Sequence, residues 1–166
     1  ESAKAYVQKF GGHDMAAGLS LAADHFDAFT EAVLQHARCI DPEELTPALR
    51  VSADATLSEI DVDLIQWLQR LEPFGRSNPE PVLRIEAILD QADPIGRAGN
   101  HVAIRLRSEG TSLRAIWFNA AEWLPRLVRG RRVQVLGVPR ENRFRGSVTA
   151  ELEVKDMALI VESDPC

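Results

Sequence analysis

HVAIRLRSEGTSLRAIWFN, residues His101 to Asn119, is the stretch whose reading decides the fold. Val102, Ile104 and Leu106 alternate with Ala103, Arg105 and Arg107. A period of two places one set in a core and the other on a surface, as in a half-buried strand. Glu109-Gly110-Thr111 supplies a hairpin turn, and Leu113 to Asn119 reads as the returning strand.

The same texture extends both ways. Upstream, Val82 to Ala92 alternates through Leu83, Ile85, Ala87 and Leu89. Downstream, Ala120 to Val128 reads as a short helix containing Pro125, ended by Gly130. Val133 to Pro139 is a Val-rich strand, Asn142 to Gly146 a tight turn, and Ser147 to Met157 a last strand. Five strands with a helix between the third and fourth fit a five-stranded OB-fold-like β-barrel. A small open sandwich is the alternative that pattern alone leaves open.

The front of the chain has a different character. Ala5, Val7 and Phe10 fall on a short helical pattern that stops at Gly11-Gly12. Leu19 and Leu21 alternate like a short strand. Asp24 stands as an N-cap for an amphipathic helix with Phe26, Phe29, Val33 and Ala37 at helical spacing, read as core. Pro42 in Asp41-Pro42-Glu43-Glu44 suits a turn or a helix start. Arg50 to Leu57 alternates loosely, and Asp61 can cap a helix from Val62 to Leu71 with Trp67 near the edge of its apolar stripe. EPFGRSNPEP, Glu72 to Pro81, is a stiff turn-rich elbow. The expected fold class is α+β, with a truncated α/β unit at 1–40, a helical connector and elbow at 41–81, the barrel at 82–160 and a tail at 161–166.

Composition narrows the function classes. Hydrophobic residues make up 45% of the 166, enough for a real core. No apolar run approaches the ~20 residues of a membrane span. The N-terminus does not read as a signal peptide. Only two cysteines are present, Cys39 and the terminal Cys166, so a reducing cytoplasm is the expected location. Residue 1 is not Met, and a fragment of a longer protein is the expectation. The net charge of −6 hides a split. Residues 1–81 carry six Lys/Arg against fourteen Asp/Glu, whereas 82–157 carry thirteen against nine, nearly all of the former Arg. Arginine forks pair with phosphates and stack on flat rings. On charge alone, nucleic-acid binding and an ordinary solvated surface weigh about evenly.

Three constellations could carry chemistry. Gly11-Gly12-His13 with Ala16-Ala17-Gly18 could form an anion-binding turn in which His13 donates to a phosphate oxygen. For the bare triplet, a Gly-Gly helix stop with a structural histidine is the better reading. The elbow places Arg76 and Asn78 at a junction, where domain positioning is the leading role and ligand contact the second. The third is a basic barrel face: Arg105, Arg107 and Arg114 on neighbouring strands, Trp117 and Phe118 nearby, and Arg143 with Phe144 in the late turn. Arginine beside exposed aromatics suits single-stranded nucleic acid, through phosphate neutralisation and base stacking. Alternation puts at least one of Trp117 and Phe118 in the core.

Taken in order, these motifs resemble a family. Gly11-Gly12-His13-x-x-Ala16-Ala17-Gly18 resembles the core of the DHHA1 domain that accompanies DHH phosphoesterases. Leu71-Glu72-Pro73-Phe74-Gly75-x-x-Asn78-Pro79-Glu80-Pro81 before an OB-like part resembles the RecJ single-stranded-DNA exonucleases. So do Ala115-Ile116-x-Phe118-Asn119, Asn142-x-Phe144-x-Gly146 and Lys155-Asp156. The resemblance implies a DHHA1-like unit followed by an OB domain, from a 5′-to-3′ exonuclease of recombination and repair. It implies Mn²⁺ or Mg²⁺ held by a separate DHH domain, and no metal or cofactor held by this chain. It implies single-stranded DNA as partner, with replication or repair proteins as further partners. Gly11, Gly12 and His13 would then touch phosphate, and Arg76, Asn78, Arg105, Arg107, Arg114, Arg143 and Phe144 the strand; no catalytic residue is expected. Two positions depart from the pattern: Phe26 follows Asp24-His25 where a second His would stand, and Ala103 replaces a frequent lysine after His101. The rivals are a protein-interaction module of a repair complex and a DHH/DHHA1 phosphodiesterase acting on small nucleotides.

Overall fold

The computed structural model describes residues 3–13, 16–41 and 48–160. The expected helix start at Pro42 and the tail at 161–166, with Cys166, lie outside the described residues. The chain divides into two compact units, Glu1–Ala48 and Leu49–Cys166.

In the first unit a single 3-10 turn, Lys4–Tyr6, leads into strand β1 (Val7–His13), which pairs antiparallel with β2 (Ala16–Leu21). Helix α1 (Phe26–Ala37) follows another 3-10 turn, Ala23–His25. Three expectations are corrected here. The segment before Gly11-Gly12 is a strand and not a helix, because β2 offers it a complete ladder from Val7↔Leu21 to His13↔Ala16. Asp24 does not cap α1; His25 holds the N-cap position, with no side-chain cap bond. Nor do the apolar residues of α1 form a core: none is buried, and Phe26 stands 59% exposed.

The second unit is built on β4 (Leu83–Ile95), β5 (His101–Ser108), β6 (Thr111–Trp117), β7 (Arg132–Phe144) and β8 (Ser147–Leu159), with β3 (Ala53–Asp54) lying parallel to the start of β4. Strand order is β4-β5-β6-β8-β7, and β7 pairs back to β4. The barrel therefore closes, and the open sandwich is excluded. Closure depends on β4 serving two partners: its residues 83–88 pair with β7 and its residues 88–95 with β5. Among the five barrel strands, β6 and β8 pair in parallel and the other neighbours pair antiparallel. Inward side chains follow the period-two pattern, with Ile85, Leu89, Val102, Leu106, Ala115, Val133, Val135 and Leu152 fully buried.

Residues expected as a connector belong to this unit. Leu57 and Ile60 join the barrel core cluster. The turn that carries them is closed by a capping box between Thr56 and Glu59. Helix α2 (Val62–Gln69) starts where expected, with Asp61 Oδ1 accepting from Leu64 N at 2.7 Å. The helix expected over 120–128 is a 3-10 segment, Ala121–Arg126: Pro125 has no N–H for an α-helical ladder, and Trp123 is held 5.2 Å from the buried Trp117. The turn expected over Asn142–Gly146 is shorter. Strand β7 continues through Phe144, and only Arg145 and Gly146 turn, both with positive φ, as in a two-residue type I′ hairpin. Glu109 and Gly110 turn β5 into β6 the same way.

Candidate nucleic-acid interface

Register decides what the β5–β6 hairpin shows to solvent. Val102↔Trp117, Ile104↔Ala115 and Leu106↔Leu113 face inward and are buried. The alternate pairs, Arg105↔Arg114 and Arg107↔Ser112, face solvent, whereas in Ala103↔Ile116 the isoleucine is covered, at 5% exposure. One step beyond Val102↔Trp117, His101 meets Phe118, their rings 5.2 Å apart and edge to face. The His101–Phe118 pair and the arginines therefore lie on one side of the hairpin, separated by the covered Ile116.

The arginines differ in what they have left to offer. Arg114 is ion-paired with Glu151, its register partner on β8. Arg143 is tied to Glu141, Nε to Oε2 at 3.0 Å. Arg105 and Arg107 are exposed and make no ion pair among the described residues. The expected set of four equivalent strand contacts therefore separates into two free and two carboxylate-paired guanidinia. The pairing follows from neighbouring outward glutamates that strand pattern does not reveal.

Phe144 stands 65% exposed near the tip of the β7–β8 hairpin, with the Arg145 guanidinium 5.1 Å from its ring centroid. Arg145 and Arg97, on the loop between β4 and β5, were not singled out by pattern. A usable signal was present: each lies in a glycine-marked turn, Arg145-Gly146 and Gly96-Arg97-x-Gly99.

Other predicted contacts have structural duties or lie elsewhere. Asn78 donates from Nδ2 to Leu71 O at 2.7 Å and to Pro73 O at 3.1 Å, while its backbone exchanges hydrogen bonds with Gly75. Its amide is spent on holding the elbow. Arg76 is exposed beside it. Gly11, Gly12 and His13 belong to the first unit, at the end of β1, opposite Gly18, Ala17 and Ala16. Neither glycine has a positive φ. Gly12 is instead required by proximity, since a Cβ there would lie 2.4 Å from Ala16 O and 2.5 Å from Ala17 Cα.

One groove of the barrel is acidic and does not suit phosphate. A groove of about 370 Å³ is bordered by Asp54, Glu59, Glu86 and Glu109, and its Arg84 is forked onto Asp54. That fork holds the Asp54 carboxyl below its ordinary range. Among the described residues no three His, Cys, Asp or Glu side chains are grouped so as to hold a metal ion. No helix among them is long and apolar enough to cross a membrane.

The closed five-strand order, with β6 and β8 parallel and a short helical segment between β6 and β7, defines the larger unit as an OB-fold domain. The model of one family, the RecJ OB domain, matches residues 51–156, and the chain belongs to that family. It is 30% identical over 152 residues to the single-stranded-DNA-specific exonuclease RecJ of Bacillus subtilis, covering 90% of this chain and 19% of that protein. It is 32% identical over 156 residues to the Escherichia coli protein of the same name, covering 90% of this chain and 26% of that one. The crystal structure of RecJ in complex with Mn²⁺ from Thermus thermophilus superposes with a TM-score of 0.74 at 26% identity, over 95% of this chain and 22% of that one. The chain therefore spans about a fifth to a quarter of the length of these relatives.

Proposed function

We propose that the barrel grips single-stranded DNA as one portion of a RecJ-like 5′-to-3′ exonuclease used in recombination and repair. The observation that carries this reading is the outer side of β5 and β6, where Arg105 and Arg107 have no carboxylate partner among the described residues and Phe118 is exposed at the strand end. Free guanidinia displace counterions from a phosphate chain, and an exposed ring offers a face to unstacked bases. In this reading the first unit is part of a DHHA1-like domain, and the exposed Gly11-Gly12-His13 end of β1 touches phosphate. Mn²⁺ or Mg²⁺ belongs to a DHH domain outside this chain, so bond cleavage needs that domain.

The test is fluorescence anisotropy of a labelled single-stranded oligonucleotide at low and moderate salt, with duplex DNA as competitor. Saturable binding that weakens with salt and prefers the single strand is the expected result. No saturable binding at low salt, by a chain whose circular dichroism reports it folded, would overturn the reading in favour of a protein-docking role.

A further inference from the structure

Three backbone segments meet near the imidazole of His101, which opens β5 and is half-buried. Asn119, just past the end of β6, has a left-handed φ of 53°, uncommon for a residue with a side chain. That turn aims its backbone N–H at His101 Nδ1, at 2.9 Å. Asn100, in the loop between β4 and β5, donates from Nδ2 to Asn119 Oδ1 at 3.0 Å. The Asn100 carbonyl accepts from Ala121 N, at the start of the 3-10 segment, at 3.3 Å. One chain of hydrogen bonds thus joins the loop, the end of β6 and the 3-10 segment, and it closes on His101 Nδ1 as an acceptor. The ring has little room to withdraw. A Cβ on Gly96 would lie 3.1 Å from its Cδ2, and the Phe118 ring stands edge to face at 5.2 Å.

An imidazole accepts a hydrogen bond only while it is neutral. With Nδ1 accepting, the neutral ring carries its hydrogen on Nε2, whereas the imidazolium carries one on each nitrogen and accepts nowhere. Turning the charged ring over restores no acceptor. Protonation therefore sets a donor against the Asn119 N–H and breaks the bond. No carboxylate stands ready to hold the charged ring in place. The nearest charged residues along the surrounding elements are Asp93 on β4, Arg97 in the loop, Arg105 on β5, Arg114 on β6 and Glu122 on the 3-10 segment. None of them is ion-paired with His101 among the described residues. We propose that His101 is a proton-operated latch, closed on Asn119 while its ring is neutral and released when the ring is charged. Release frees the 96–100 loop from the end of β6 and removes the bond that holds Asn119 in its left-handed turn. The opening stays at the strand ends, because the next pair inward, Val102↔Trp117, is buried. The latch goes beyond the single-strand reading and does not depend on it.

The experiment is a heteronuclear NMR titration of the whole chain from about pH 8 to about pH 5, the span in which histidines change charge. The nitrogen shifts of the His101 ring report its tautomer and its protonation. At the neutral end the ring should carry its hydrogen on Nε2. Exchange protection of the Asn119 amide, corrected for the intrinsic effect of pH, should fall about 2- to 10-fold in step with protonation of that ring, as for the loss of one hydrogen bond. His101→Asn places an Oδ1 where Nδ1 stood and cannot titrate, so protection should persist across the range. His101→Phe has no acceptor and should show low protection throughout. Hydrogen on Nδ1 in the neutral ring, protection that survives protonation of the ring, or the same fall in His101→Asn would each overturn the latch. The tautomer and the protection are read in the unaltered chain, so the test stands even where a variant fails to fold.

Discussion

Arg140 and Glu80, sixty residues apart, face each other as a fork: Arg140 Nη2 donates to Glu80 Oε2 at 2.8 Å, and Nη1 donates to Oε1. Arg140 Nε also donates to Glu153 Oε2 at 2.8 Å, which ties the elbow to both β7 and β8. The fork holds the Glu80 carboxyl below its ordinary range of about 4.5 and raises the Arg140 guanidinium. Burial alone would raise Glu153, but hydrogen bonds from Lys155 and Arg140 bring it below its ordinary value.

Glu80→Gln should therefore destabilise the chain by about 1–2 kcal/mol in urea unfolding at neutral pH, after allowance for partial solvent screening. The direction with pH follows from the lowered carboxyl. The contribution is fully present above the unfolded carboxylate range and is lost as pH falls through the folded value. The gap between parent and Glu80→Gln should stay constant from pH 7 to about 5 and shrink below about 4.5. A gap that persists undiminished at pH 3 would place the stabilisation in something other than ionised Glu80.

Asn78→Ala should loosen the elbow rather than the ligand face. It removes two donations to carbonyls at Leu71 and Pro73, worth about 1–2 kcal/mol together. Chemical denaturation should report that loss, while the salt slope of oligonucleotide binding should stay at the parent value. A changed salt slope with unchanged stability would restore Asn78 to the ligand contacts.

Gly137→Ala tests the barrel's interior. A Cβ there would lie 2.6 Å from Leu152 Cγ, and Leu152 is fully buried. Overpacking of this kind costs about 1–3 kcal/mol. The double variant with Leu152→Ala should suffer less than the sum of its single changes, because the clash and the cavity offset one another. Additive losses in the melting curves would show that the two positions do not compete for one space.

Removing both free arginines, Arg105→Ala with Arg107→Ala, should lower the slope of log affinity against log salt by about 2. Arg114→Ala should move it by less than one unit, since Glu151 already neutralises that guanidinium. Equal slopes for parent and double variant would take the phosphate track off this face.

Much of the barrel was legible because burial in a half-exposed strand imposes a period of two, and His101 to Ser108 and Leu113 to Ala115 keep that period. Turn chemistry added the hairpin at Glu109-Gly110, and the capping aspartate marked the start of α2. Local pattern failed where a distant partner decided the outcome. Val7 to Phe10 is a strand because β2 pairs with it, and β7 runs on to Phe144 because β8 accompanies it. The sequence shows the residue types of the basic face but not which of its charges are paired. Arg105 and Arg114 look alike in sequence, yet only the parallel pairing of β6 with β8 sets Glu151 beside one of them. Which side chains turn inward is written in the order of residues along each strand, since that depends on neighbours two residues away. Which outward charges remain unpaired is settled only in the folded barrel, because an ion pair depends on which strand lies alongside, and that choice is made when the barrel closes.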